Sequence, residues 1–190
     1  MVQKTICVYC GAKSGTKPIY MEQATELGRG IAENGWRLVY GAGGSGIMGE
    51  IYHSARDNGA YSIGVSPKFL AESEQHDTGF DEYHETETMH QRKQILADKA
   101  DAYFIMPGGV GTLDEFFEIL TWRKLGIHAK PIVIVNVDGY WDHLIALLAS
   151  MKDNGFLGDD VIENPAKDKP ADYVVYNTVA EGLSYIKKHI

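Results

Sequence analysis

The sequence predicts an α/β fold, a doubly wound parallel sheet with helices on both faces, and three observations predict it. Short apolar runs rich in β-branched residues alternate with longer segments of helical period. Those runs are apolar throughout rather than at every second position, as strands covered on both faces require. Two glycine-rich turns each link such a run to the helical segment after it, which is where open α/β sheets bind ligands.

In chain order the strands are expected at Thr5 to Tyr9, Trp36 to Tyr40, Ser62 to Val65, Ala102 to Met106, Pro131 to Val137 and Tyr173 to Tyr176. Helices are expected near Pro18 to Asn34, Ile47 to Asn58, Met89 to Lys99, Leu113 to Leu125, Trp141 to Asn154 and Val179 to Lys188. No internal repeat, low-complexity tract or linker interrupts this alternation. With 190 residues and 44% hydrophobic content, the chain can bury one substantial core but not two ordinary enzyme cores. Residues 1–190 are therefore expected to form a single Rossmann-like nucleotide-binding domain. The polar stretch from Glu72 to Glu87, with seven acidic residues, reads either as a mobile active-site loop or as a solvated loop without function.

Composition narrows the function classes. A net charge of -8 argues against nucleic acid as a partner, since nonspecific binding of phosphate backbones needs a basic surface. Any phosphate must be held locally. No stretch approaches the roughly 18 apolar residues of a membrane span, and the N-terminus lacks the pattern of a secretory signal, so no membrane association and a cytoplasmic location are expected. Cys7 and Cys10 form a C-x-x-C, but in a strand their odd spacing sends them to opposite faces, and no second cysteine pair exists to complete a zinc site.

In Gly41-Ala42-Gly43-Gly44-Ser45-Gly46, three glycines fall on G-x-G-x-x-G between a strand and a helix. Bare amides there can receive an anion, with Gly43 and Gly44 the candidate contacts. A dinucleotide site also wants an acidic residue at the end of the next strand, which here runs Val65-Ser66-Pro67-Lys68, so an NAD-linked oxidoreductase is disfavoured. A second loop, Pro107-Gly108-Gly109-Val110-Gly111-Thr112, follows another strand and is no Walker A, because no Gly-Lys-Ser/Thr follows it. Together the two loops suggest a nucleotide-sized crevice.

Met89, Arg92, Lys93 and Leu96 share one stripe of a helix, placing two cations beside an inward face. Such cations signal an anion, a structural ion pair or snorkelling. Glu115 would border a ligand lying across the Gly108 to Gly111 loop. It also completes Thr112-Leu113-Asp114-Glu115, which has the spacing of a capping box with Thr112 as N-cap, and spacing alone favours that structural role. His76, His84, His90 and His128 form no compact ligand pattern, so no metal is expected. No G-x-S-x-G elbow supports acyl transfer.

Met89-His90-Gln91-Arg92-Lys93 and Pro107-Gly108-Gly109-Val110-Gly111-Thr112-Leu113-Asp114-Glu115 together resemble the signature of the Lonely Guy family, Arg-Lys followed by P-G-G-x-G-T-x-x-E. The similarity extends through Thr121-Trp122, Leu125 to His128 and Asn136-Val137-Asp138-Gly139-Tyr140, and with Cys10-Gly11 and Gly41 to Gly49 covers the chain from Ile6 to about Phe156. The resemblance implies a homodimeric hydrolase that splits purine nucleoside 5'-monophosphates, of cytokinin type or AMP, into free base and ribose 5-phosphate without a cofactor. Members have often been labelled lysine decarboxylases, a chemistry that ordinarily needs pyridoxal phosphate and a larger scaffold. Carried over by position, Arg92 and Glu115 are the implied catalytic pair. Glu74, Met89, Lys93, Gly109, Val110, Gly111, Thr112, Leu113, Asp114 and Thr121 are the implied substrate contacts, with Lys93 and the glycine-loop amides on the phosphate. The first loop departs from the family: adjacent serines often follow its Cys-Gly, whereas here Ala12 and Lys13 precede Ser14. A noncatalytic carrier of a nucleotide-like cofactor, of the molybdenum-cofactor type, is the rival reading, and retention of both Arg92 and Glu115 disfavours it.

Overall fold

The computed structural model describes residues 3–71, 79–158 and 171–190. These residues form a seven-stranded sheet in the order β4-β3-β2-β1-β5-β6-β7, every neighbouring pair parallel. The strands are β1 (Thr5–Tyr9), β2 (Arg37–Tyr40), β3 (Ser62–Pro67), β4 (Glu82–Thr86), β5 (Ala102–Ile105), β6 (Ile132–Val135) and β7 (Val174–Tyr176). The helices are α1 (Pro18–Glu33), α2 (Gly46–Asp57), the single turn α3 (Lys68–Ala71), α4 (Met89–Lys99), α5 (Val110–Lys124), α6 (Asp142–Asp153) and α7 (Val179–His189). A doubly wound α/β architecture is thus present, and all six expected strands lie within a few residues of their expected bounds.

The period of two along each strand divides the core. Ile6 and Val8 of β1, Leu38 and Tyr40 of β2 and Phe104 of β5 face α1, α2 and α7, where Leu27, Ile31, Ile51 and Ile186 complete one layer. Cys7 and Tyr9, Val39, and Tyr103 and Ile105 face the opposite way, against Leu96 of α4, Phe116 and Ile119 of α5 and Leu148 of α6. Cys7 and Cys10 fall in different layers, both as free thiols, as the odd spacing requires. Burial holds Cys7 and Cys10 far above the usual thiol range, so neither is a thiolate at neutral pH. No helix among the described residues is long and apolar enough to cross a membrane.

Two local expectations need correction. The segment Glu72 to Glu87 is not loop throughout, because 82–86 pair with β3 as a sheet edge. Their Glu-Tyr-His-Glu-Thr sequence is half-exposed, and only β3 flanks it, so the continuous apolar run of an inner strand is not required. Pro131 to Val137 shortens to β6, and 137–139 turn into a short 3₁₀ segment, with Asp138 at φ +51° ending the extended backbone.

The order of the strands fixes where a ligand can lie. From β1 the chain winds outward through β2, β3 and β4, then returns to the other side of β1 for β5, β6 and β7. The turns after β1 and β5 therefore diverge, opening a crevice at the carboxyl ends of the two strands.

Candidate active site

Three turns converge on that crevice. Gly11 N donates to Pro107 O (2.9 Å), tying the turn after β1 to the turn after β5. Met48 N donates to Gly11 O (3.1 Å) and Ser45 Oγ to Ala12 O (3.2 Å), tying the same turn to the start of α2. Gly46, at φ +62°, sits so close to Ala12 and Lys13 that a Cβ there would overlap their backbone. Tyr140 closes one side: its hydroxyl donates to Gly108 O (2.5 Å), and its ring meets Tyr20 edge-on. The cavity so enclosed is about 530 Å³, within the roughly 300–1,000 Å³ typical of small-molecule sites.

Arg92 and Glu115 meet in its wall. The Thr88 hydroxyl caps α4 by accepting from Gln91 N (3.2 Å), and one turn on, Arg92 points back beneath the sheet ends. Its Nε donates to Val65 O (3.2 Å), and its Nη1 lies 3.4 Å from Glu115 Oε1, both side chains being 9% exposed. Gly41 makes room, since a Cβ at that position would occupy the place of the Arg92 guanidinium. The G-x-G of the first glycine loop thus serves an arginine as well as a turn.

The capping reading of Glu115 does not survive. Helix α5 begins at Val110 with Gly109 as N-cap, so Thr112 is already its third residue and Glu115 stands in the second turn. Gly109 supplies no side-chain cap and, being exposed, leaves the first amides of the helix open. Freed of capping, the carboxylate is buried, and burial pushes its pKa up to about 7 against the opposing pull of Arg92. The group therefore changes protonation close to neutral pH.

Next to this pair on the same two helices, a second charge cluster lies off the cavity wall. Lys93 Nζ lies 3.2 Å from Asp114 Oδ2 and 3.1 Å from Glu118 Oε1. Burial would lower the Lys93 pKa, but Glu118 and Asp114 outweigh it and hold the ammonium above its ordinary value. That ammonium pins α4 to α5.

Of the residues singled out in the sequence, the structure brings Arg92, Glu115, Gly109, Gly111 and Thr112 to the cavity wall. Gly43, Gly44, Met89, Lys93 and Leu113 are not on that wall, nor are the exposed Val110, Asp114 and Thr121. Gly43 N donates to Met48 Sδ (3.3 Å), and Leu113 packs against the core layer of α5. Glu74 lies outside the described residues. The wall also carries Lys13, Tyr20, Met48, Leu70 and Tyr140, none of which the sequence marked as a substrate contact. The signal for Lys13 was its place directly after β1, at the same sheet end as both glycine loops.

Comparison with known proteins adds an independent line. Residues 48–172 match the family model described as "Possible lysine decarboxylase". The cytokinin riboside 5'-monophosphate phosphoribohydrolase LOG of Oryza sativa subsp. japonica is 42% identical over 157 residues, 83% of this chain and 65% of that protein's own length. LOG7 of Arabidopsis thaliana, of the same name, is 43% identical over 81% of this chain and 71% of its own. The probable rice enzyme LOGL3 is 37% identical over 98% and 93%. Among solved structures, the molybdenum cofactor carrier protein MCP from Chlamydomonas reinhardtii superposes with a TM-score of 0.72 at 24% identity, covering 98% of each chain, a likeness of fold.

Proposed function

The chain belongs to the Lonely Guy family of cytokinin riboside 5'-monophosphate phosphoribohydrolases, and from that premise we propose that it hydrolyses the N-glycosidic bond of purine riboside 5'-monophosphates, releasing free base and ribose 5-phosphate. The observation that carries the reading is the buried Arg92–Glu115 pair in the wall of a cavity flanked by two glycine turns.

Breaking the C1'–N9 bond builds positive charge on the ribose and negative charge on the departing base. A water oxygen bonds to C1', N9 leaves with the electron pair, and the base takes up a proton. Glu115 suits the sugar side: as a carboxylate it stabilises the cation-like centre, and a pKa of about 7 lets it accept a proton from the attacking water. Arg92 orients Glu115 while anchored to Val65 O, and as a guanidinium it is a poor proton donor. The amides at the start of α5, which no side chain caps, suit the 5'-phosphate, so that remote binding energy would align the reacting bond. Because of this division, the monophosphate should be preferred to the nucleoside. Incubating the purified protein with AMP and with isopentenyladenosine monophosphate should yield free base from at least one; no base from either overturns the reading.

A homodimer is part of the same reading. Phe116 is fully buried in the core and offers no surface to a partner. Support comes instead from Val110, Leu125 and Ile127, which are 83%, 70% and 64% exposed along and beyond that helix. Light scattering that shows a fully active monomer at micromolar concentration would count against it.

A further inference from the structure

Three cations near the cavity have partners within the protein: Arg92 pairs with Glu115, Lys93 with Asp114 and Glu118, and Lys17 with Asp138. Lys13 differs. It lines the cavity, is exposed, and among the described residues has no carboxylate within ion-pair distance. In a chain of net charge -8, an ammonium on this cavity wall with no carboxylate partner among the described residues is a local exception to the prevailing sign.

Its backbone is held on both sides. Gly11, two residues earlier, is bonded to Pro107 O, and Ala12 accepts from Ser45 Oγ, while Gly46 is packed against Lys13 N. The flexible stem therefore starts from a fixed point between the two glycine turns. An ammonium on the same cavity wall as the start of α5, unclaimed by any carboxylate among the described residues, fits an incoming anion of small size and multiple charge.

We propose that Lys13 is the electrostatic anchor for the substrate's 5'-phosphate, and so the residue that sets preference for a phosphorylated over an unphosphorylated ribose. The assignment rests on the nucleotide-hydrolase reading, but it concerns a residue outside the Arg92–Glu115 pair. It also replaces Lys93 in the phosphate role, because the Lys93 ammonium is already engaged by two carboxylates.

The test uses the full chain with Lys13→Ala, Lys13→Arg and Lys13→Glu. Steady-state rates are measured with AMP and adenosine, and binding of ribose 5-phosphate by calorimetry. Loss of the ammonium should raise KM for AMP about tenfold in Lys13→Ala, and further in Lys13→Glu, with kcat within about twofold. Lys13→Arg should stay within about threefold of wild type, adenosine kinetics should not change, and ribose 5-phosphate affinity should fall in parallel with the AMP effect. If Lys13→Ala and Lys13→Glu bind AMP and ribose 5-phosphate as the wild type does, the anchor is overturned and Lys13 is a solvated surface lysine. If the wild type binds ribose 5-phosphate, the variants lose it, and no base is ever released, then the hydrolase reading fails while the anchor stands.

Discussion

Thr112–Glu115 and Thr178–Glu181 share the spacing Thr-x-x-Glu at the start of a helix, yet the two glutamates meet different surroundings. At α7 the motif is a true capping box: Glu181 N donates to Thr178 Oγ1 (3.4 Å), and Thr178 N donates back to Glu181 Oε2 (3.1 Å), all of it exposed to solvent. At α5 the helix has begun two residues before Thr112, so the same spacing turns Glu115 inward against Arg92. Position relative to the first helical residue, rather than spacing, decides whether such a glutamate caps or is free for chemistry. What frees Glu115 is the start of α5 at Val110, with Gly109 as N-cap, which puts the glutamate beyond reach of the cap position.

Neutralising each glutamate separates the two roles. Glu115→Gln should lose on the order of a hundredfold or more in kcat, the scale of one transition-state electrostatic partner. Its melting temperature should stay within a few degrees of wild type. The pH dependence of that stability has a defined sign. Because the folded-state pKa of Glu115 is raised from 4.5 to about 7, the folded protein holds this proton more tightly than the unfolded chain, and ionisation costs stability as pH rises through that window. A glutamine cannot ionise, so from pH 5 to pH 8 the melting difference should move in favour of Glu115→Gln. Equal turnover by Glu115→Gln and wild type would return the residue to a structural role.

Removing the partner should do less. Arg92→Met leaves Glu115 without its nearest cation, so its pKa rises further and fewer molecules carry the carboxylate at neutral pH. A loss of about tenfold or more in kcat/KM at pH 7, partly recovered at pH 9, is expected from the lost electrostatic partner. A loss independent of pH would point to Arg92 contacting the substrate instead. At the other helix the effect is purely structural: Thr178→Ala should cost about 1 kcal/mol in denaturant unfolding with kcat unchanged. Smallest of all, Glu181→Gln should shift stability by less than about 0.5 kcal/mol, since glutamine completes a capping box nearly as well.

How much of this was legible in the sequence follows the same logic. Strands inside the sheet announce themselves because both faces are buried, which is why Ile132-Val133-Ile134-Val135 is unmistakable and Glu82-Tyr83-His84-Glu85-Thr86, at the edge, is not. Arg92 and Glu115 were readable from the resemblance, but local rules pointed the wrong way for Glu115, because the glycines that start α5 carry no capping side chain to mark its beginning. The genuine capping box at Thr178 was equally visible and was passed over. Lys13 was legible only in part: its place after β1 put it at the ligand-binding end of the sheet, but that it has no ion-pair partner among the described residues, while Lys17 and Lys93 have theirs, is a property of three-dimensional neighbours.

In the proposed reaction Glu115, buried beside Arg92, is the group whose ionisation controls base release. The pH profile of kcat/KM for wild-type protein acting on AMP tests it most directly, with Glu115→Gln as reference. If the carboxylate is the working form, kcat/KM should climb as pH rises and level off above a midpoint near 7, while the residual activity of Glu115→Gln shows no such limb. A midpoint in the ordinary carboxylate range, or the same limb persisting in Glu115→Gln, would mean that some other group governs base release.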